Sequence, residues 1–274
     1  MIVVELRKMF RRPRTWATIA VLNALPILVA VLLLVTDLAP RPGEGPPFLS
    51  AVLSNGALYP LAALAIVLPL FLPIAVAVVA GDSIAGEAQA GTLRYLLARP
   101  VGRTRLLVAK LVAVLAFVLV TVLIVALVGY VVGTTLFHAQ PLGSTAVGGT
   151  SVSGTALTPQ DIADRTMMAI GYVAVSMLGV AAFALFFSTL TDSPLGATMG
   201  ALAVLVASSL LFTLDAASPI APYLPTRYWL AFVDLFRDPI QWRDLTRGLA
   251  LQGVYVGVLL AAAWANFTTK DVTS

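Results

Sequence analysis

The sequence predicts an all-α integral membrane protein with six transmembrane helices, and three observations support this prediction. Of the 274 residues, 59% are hydrophobic and 11% are charged, whereas soluble domains average about 45–50% apolar and about 25% charged residues. The mean hydropathy is +0.96. Six apolar stretches each approach the roughly 20 residues that cross a bilayer core of about 30 Å. We therefore expect residues 1–274 to form a single transmembrane domain.

The six predicted spans are the longest stretches that are free, or nearly free, of charged residues. A charge at the centre of a bilayer costs about 2.5–3.5 kcal/mol on the insertion scale. The spans cover approximately residues 15–36, 57–81, 106–137, 166–190, 194–214 and 248–267. The first two contain prolines: Pro26, Pro60, Pro69 and Pro73. These prolines indicate either flexible or broken helices that line a pathway, or kinks without a mechanistic role.

The distribution of basic residues predicts the orientation. Of the 17 Lys and Arg residues, eleven fall on the side that holds the N-terminus, the loop between spans two and three, and the C-terminus. Because Lys and Arg are enriched on the cytoplasmic side, we expect a multi-pass protein of the cell membrane with both termini in the cytoplasm. This asymmetry accounts for the pI of about 9.6, so we expect no nucleic-acid partner.

The first dozen residues predict an amphipathic helix at the membrane surface. The apolar residues of this segment share one face at 100° per residue. The opposite face carries four cations that we expect to bind membrane lipid: Arg7, Lys8, Arg11 and Arg12. The alternative is a plain basic flank that only obeys the positive-inside rule.

The composition argues against an enzyme. The chain has no cysteine and a single histidine, so we expect no metal site and no cofactor within it. The carboxylates lie outside the predicted spans or at their ends, which argues against ion coupling at membrane depth. None of the three lysines fits the phosphate-binding loop G-x-x-x-x-G-K-[ST]. If ATP drives this protein, another chain must bind the ATP and Mg²⁺.

The loop between spans two and three carries the most specific pattern. It contains Asp82, Glu87, Gly91-Thr92-Leu93, Leu96-Leu97, Pro100-Val101-Gly102-Arg103 and then Lys110. This order resembles that of the type-2 exporter permeases of ATP-binding-cassette transporters, roughly D…E…GTL…LL…P-[VI]-x-R…K. Gly102 departs mildly, since Ser is common there. The runs Tyr223–Trp229 and Phe267…Lys270-Asp271-Val272 are also similar to family members, so the resemblance covers essentially the whole chain.

The resemblance implies a permease that pairs with a second permease subunit, as a homodimer or heterodimer, and docks on a separate cytoplasmic ATPase. A coupling helix between spans two and three would contact that ATPase through Asp82, Glu87, Gly91, Thr92, Leu93, Arg94, Leu96 and Arg99. Short re-entrant helices are implied before the last span. An ordinary basic loop is the alternative interpretation of this segment.

We therefore expect the transmembrane subunit of an ATP-driven exporter. Its mostly apolar spans favour an amphipathic or lipid-like substrate that leaves the cytoplasm. The alternative is a membrane scaffold or assembly factor without transport activity.

Overall fold

The fold is that of a computed structural model of the chain, which describes residues 1–36, 44–53, 55–92, 102–137 and 149–269. Most of these residues form helices: α1 (Ile2–Arg11), α2 (Pro13–Thr36), α3 (Tyr59–Val67), α4 (Phe71–Gln89), α5 (Arg103–Leu136), α6 (Pro159–Leu190), α7 (Pro194–Phe212) and α8 (Trp242–Thr269). Two short strands, β1 (Gly149–Thr150) and β2 (Ala156–Leu157), pair in antiparallel orientation. Apart from this pair, the predicted helical architecture is confirmed for the described residues.

Six of these helices, α2 and α4 to α8, are long and apolar enough to cross a membrane, so the chain is a multi-pass membrane protein. Contacts between helix ends show how the six are arranged. Arg103 at the start of α5 donates a hydrogen bond over 2.9 Å to the carbonyl oxygen of Thr268 at the end of α8. Asn266 donates over 2.8 Å to the carbonyl oxygen of Thr189 at the end of α6. We call the end of the bundle at which these contacts lie the basic end, and we call the opposite end the far end.

The centre of the bundle is formed by α4 and α6, and the outer helices expose apolar side chains. In the most apolar window of α6, 67% of the residues are buried, against 17% in α8. Leu210 of α7 and Val254 of α8 are among the exposed side chains. Such exposure is favourable in a bilayer, where lipid tails are as apolar as leucine.

The second predicted span, residues 57–81, is not one continuous helix, and a broken helix is one of the two interpretations that its prolines allowed. The chain instead forms α3, breaks over residues 68–70, and begins the longer helix α4 at Phe71. Pro69 lies in the break, and its missing amide cannot donate the hydrogen bond that would continue α3. Pro73 lies in the first turn of α4, where a backbone amide needs no partner within the helix. The spanning helix therefore extends to Gln89 and carries Asp82 and Glu87 within it.

Helix α3 packs closely against α5 because two glycines of α5 face it. A Cβ at Gly133 would lie 2.2 Å from the carbonyl oxygen of Gly56, and one at Gly129 would lie 2.9 Å from the Cα of Pro60. Small residues spaced four apart let helix backbones approach closely in membranes. This contact holds the start of α3 against the second half of α5.

Between α7 and α8 the described chain forms three short 3-10 helices, Asp215–Ala217, Ala221–Tyr223 and Trp229–Phe236. The last of them packs into the bundle, since Phe232 and Phe236 are buried. The side chain of Gln252 in α8 donates over 2.8 Å to the carbonyl oxygen of Pro225 and so ties the connecting chain to the bundle. Short helices were predicted in this region, and their entry into the membrane stays a prediction.

Candidate functional site

The N-terminal helix α1 folds back against the start of α2, which places its charged side chains at the basic end. Pro13 begins α2, where its missing amide needs no partner, and Arg12 before it is extended. The hydroxyl of Thr15 donates over 2.8 Å to the carbonyl oxygen of Met9 and closes this turn. Both Met9 and Glu5 are buried against the bundle as a result.

The last turns of α4 present two carboxylates to the cations of this N-terminal segment. Oδ2 of Asp82 lies 3.0 Å from Nη1 of Arg12 and also pairs with Arg14. Oε1 of Glu87 lies 2.5 Å from Nζ of Lys8. Asp82 is partly exposed, whereas Glu87 is only 5% exposed. These ion pairs connect α1 and the start of α2 to α4.

Lys110 of α5 completes the arrangement. Its side chain is 2% exposed, and its Nζ lies 2.8 Å from Oε1 of Glu87 and 3.4 Å from Oε2 of Glu5. A buried ammonium group needs paired carboxylates to offset its lost hydration. We define the ionic cluster as Glu5, Lys8, Arg12, Arg14, Asp82, Glu87 and Lys110. With four basic side chains and three carboxylates, the cluster has a formal excess of one positive charge.

Two glycines shape α4 around these carboxylates. A Cβ at Gly86 would lie 2.5 Å from Oδ1 of Asp82, so the missing side chain leaves the room that Asp82 occupies. Gly91 has a φ of 66°, the left-handed conformation that commonly ends helices. The amide of Thr92 then donates over 3.0 Å to the carbonyl oxygen of Glu87. Helix α4 thus ends just before Gly91-Thr92.

A serine of α6 inserts its hydroxyl into the backbone of α4 beside the ionic cluster. Ser188 donates over 2.7 Å to the carbonyl oxygen of Gly81. The same hydroxyl accepts from the amides of Ile84 and Ala85, over 3.1 and 2.9 Å. Because amides in a regular helix point along its axis, two amides directed at a neighbouring side chain indicate a local distortion of α4.

The four residues predicted to bind lipid lie in two different environments. Lys8 and Arg12 are paired with the carboxylates of α4. Arg7 and Arg11 are exposed and form no ion pair with any other described residue. The apolar face is divided as well, since Val3 is 74% exposed while Met9 is buried. Lipid binding by the four basic residues stays a prediction.

The eight residues expected at an ATPase interface are only partly described. Asp82 and Glu87 belong to the ionic cluster, and Gly91 and Thr92 end α4. The other four lie outside the described residues: Leu93, Arg94, Leu96 and Arg99. Contact with an ATPase stays a prediction for all eight. The cations of α1 and α5 already contact Glu87, a partnership that the sequence analysis did not predict.

Sequence reasoning also missed Glu5, Arg14 and Ser188. One usable signal existed for Glu5, which is the sole carboxylate among the first 36 residues and therefore stood out in a basic segment. No comparable signal marks Ser188, one of many hydroxyl residues in apolar helices. Its role depends on which helix packs beside α6.

A cavity of about 660 Å³ opens beside the ionic cluster, between the N-terminal segment, α4 and α5. All seven members of the cluster line it, together with apolar side chains such as Val79 and Val114. Its volume lies within the range of about 300–1,000 Å³ that is usual for ligand sites. The combination of paired charges and an apolar wall can bind and orient a charged amphiphilic group.

Comparison with known proteins assigns the chain to a family. No curated protein matches the sequence. A family model described as "Protein of unknown function (DUF2705)" matches residues 26–273, which include part of α2 and the other five spanning helices. The match covers most of the chain, from the middle of α2 to near the C-terminus. The chain therefore belongs to the DUF2705 family, a family of proteins of unknown function.

Proposed function

We propose that this chain is the transmembrane subunit of an ATP-driven exporter and works with a separate cytoplasmic ATPase. One observation carries the proposal. The motif residues Asp82, Glu87 and Lys110 pair with α1, the start of α2 and each other around one cavity. The ionic cluster lies where α4 leads into residues 93–101 and α5 leads out of them. A contact made by that segment would therefore act on two spanning helices and on α1 together.

In this proposal the residues around the connecting segment have two different roles. Arg94 and Arg99 lie in the connecting segment and would meet the ATPase directly. Glu87 is buried and paired with two lysines, so we assign it to linking α4 with α1 and α5. The basic end faces the cytoplasm, in agreement with the positive-inside rule.

The remaining parts of the proposal follow the resemblance. A second permease subunit, identical or different, would pack against this one, and the substrate path would run between them. The exposed apolar side chains of the outer helices suit such a partner as well as lipid. The substrate class is amphipathic or lipid-like. The short helices before α8 would dip into the outer leaflet.

Purification of the tagged full-length chain from its native membrane tests the proposal. We expect an ATPase with a phosphate-binding loop to co-purify. Arg99→Glu should reduce its recovery, because it reverses a charge in the predicted contact. Arg105→Glu is the matched control, since Arg105 is an exposed residue at the same end of the bundle that does not line the cavity.

Two outcomes would contradict the proposal. If no ATPase accompanies the chain and other membrane proteins do, the scaffold or assembly function is favoured. If an ATPase is recovered equally with both variants, the assignment of residues 93–101 as the contact is wrong. Thermal unfolding of each variant shows whether a loss of partner reflects a loss of fold.

A further inference from the structure

We propose that the cavity beside the ionic cluster binds the headgroup of a phospholipid that carries a primary ammonium group as well as its phosphate. The cavity lies at the start of α2 and the end of α4. The apolar run of α2 begins immediately after Arg14, which places the cavity at the boundary between membrane and water. Lipid headgroups occupy that level on either side of a bilayer.

The phosphate is assigned from the cations at the cavity. Arg12 and Arg14 line it, and their side chains are 37% and 58% exposed. Each guanidinium has five N–H donors, and Asp82 is within hydrogen-bonding distance of one nitrogen of each. The first turn of α2 also lines the cavity and adds the positive end of a helix dipole. The excess of one positive charge in the ionic cluster favours an anionic group here.

The ammonium group is assigned from the opposite side of the cluster. Glu87 also lines the cavity, and both lysines contact the same one of its two oxygens, Oε1. The second oxygen, Oε2, is buried and has no hydrogen-bond partner among the described residues. A buried carboxylate oxygen without a donor is unfavourable. A primary ammonium provides three N–H donors, so its binding would satisfy Oε2.

The apolar part of the cavity suits the remainder of such a lipid. Val78 and Val79 of α4 and Val114 of α5 lie on its lining and can contact the first carbons of an acyl chain. A free phosphate or a soluble amine would leave this wall without a partner. The inference requires only that the chain lies in a bilayer, so it does not depend on the proposed export activity.

Lipid titration of the purified full-length chain, followed by native mass spectrometry, tests the assignment. Phosphatidylethanolamine should bind about tenfold more tightly than phosphatidylglycerol or phosphatidylcholine, the ratio expected for one hydrogen bond to a charged group. The two comparison lipids retain the phosphate but lack a primary ammonium. Arg14→Gln should weaken all three lipids. Arg105→Gln, which removes an exposed cation outside the cavity, should change none of them.

Glu87→Gln should abolish the preference for phosphatidylethanolamine while phosphate-dependent binding remains. If this variant does not fold, two measurements still test the proposal. They are the lipid preference of the unmodified chain and the lipid affinity of Arg14→Gln. Equal binding of the three lipids, or an Arg14→Gln variant that binds normally, would overturn the proposal. Displacement of the lipid by inorganic phosphate at equal concentration would identify a soluble anion site instead.

Discussion

Lys110 of α5 and Glu87 of α4 form an ion pair in which Nζ lies 2.8 Å from Oε1 and both side chains are almost completely buried. Lys8 approaches the same oxygen from α1. Burial removes both groups from water, so each charge depends on the other for compensation. The pair therefore couples the stability of three helices at the basic end.

Replacing Glu87 by Met should lower the free energy of unfolding by about 3–5 kcal/mol, because Lys110 would stay buried without its nearest carboxylate. The double variant Glu87→Met with Lys110→Met should recover a large part of this loss, since neither apolar side chain needs hydration. Thermal or denaturant unfolding in detergent measures both effects. A double variant that is less stable than the single one would contradict this interpretation of the pair.

The matched control for that experiment is the pair of Asp234 and Arg237, which lies at the far end with a 2.7 Å contact and a more exposed arginine. Exposed ion pairs contribute about 0–1 kcal/mol. Asp234→Ala should therefore change stability far less than Glu87→Met.

Ser188→Ala should destabilise the protein by about 1–3 kcal/mol, because it removes the partner of two buried amides and one carbonyl oxygen of α4. Ser176→Ala is the matched control on the same helix. Ser176 is also buried, but its hydroxyl donates only to the carbonyl oxygen of Tyr172 in its own helix. Equal effects of the two substitutions on the unfolding midpoint would argue against a structural link between α4 and α6 through Ser188.

Gly91→Ala should cost about 1 kcal/mol, since Ala does not readily adopt the φ of 66° that ends α4. Gly91→Asn should be tolerated better, because Asn enters the left-handed region more easily. Gly102→Ala is the control: its φ is −58° and an added Cβ would meet no atom within 4 Å. If Gly102→Ala has a lower unfolding midpoint than Gly91→Ala, the end of α4 is assigned incorrectly.

The orientation can be tested with single cysteines, because the natural chain has none. Gly102 at the basic end and Ser153 near the far end are both exposed. An impermeant thiol reagent applied to intact cells should label Ser153→Cys and leave Gly102→Cys unlabelled until the cells are opened. The reverse pattern would place the basic end outside. Ser151 is a poorer site for this probe because it is buried.

Local chemistry made several features predictable. The number of spanning helices follows from apolar runs whose length matches a bilayer, and the basic end follows from the distribution of Lys and Arg along the sequence. Helix ends were less predictable. α5 begins at Arg103, α6 at Pro159 and α8 at Trp242, so these helices continue beyond their apolar runs. Charge excludes a residue from the bilayer core but does not stop a helix.

The split of the predicted span 57–81 into α3 and α4 shows the limit of predicting helices from hydropathy. Hydropathy reports only the sum over a window, so an apolar run interrupted by Pro69 resembles an uninterrupted one. The packing of Gly133 against Gly56 decides where α3 lies, because the short helix is held by a close approach to α5. That approach joins positions 77 residues apart in the sequence.

The sequence by itself determined that this chain crosses a membrane several times and that one end of the bundle is basic. Only the tertiary structure decided which charges meet. The expected contact of Glu87 with another protein stays a prediction, and the fold pairs this residue with Lys8 and Lys110, which lie 79 residues before it and 23 residues after it. The reason is physical: hydropathy and helix termination depend on neighbouring residues, whereas the compensation of a buried charge depends on whichever helices pack around it.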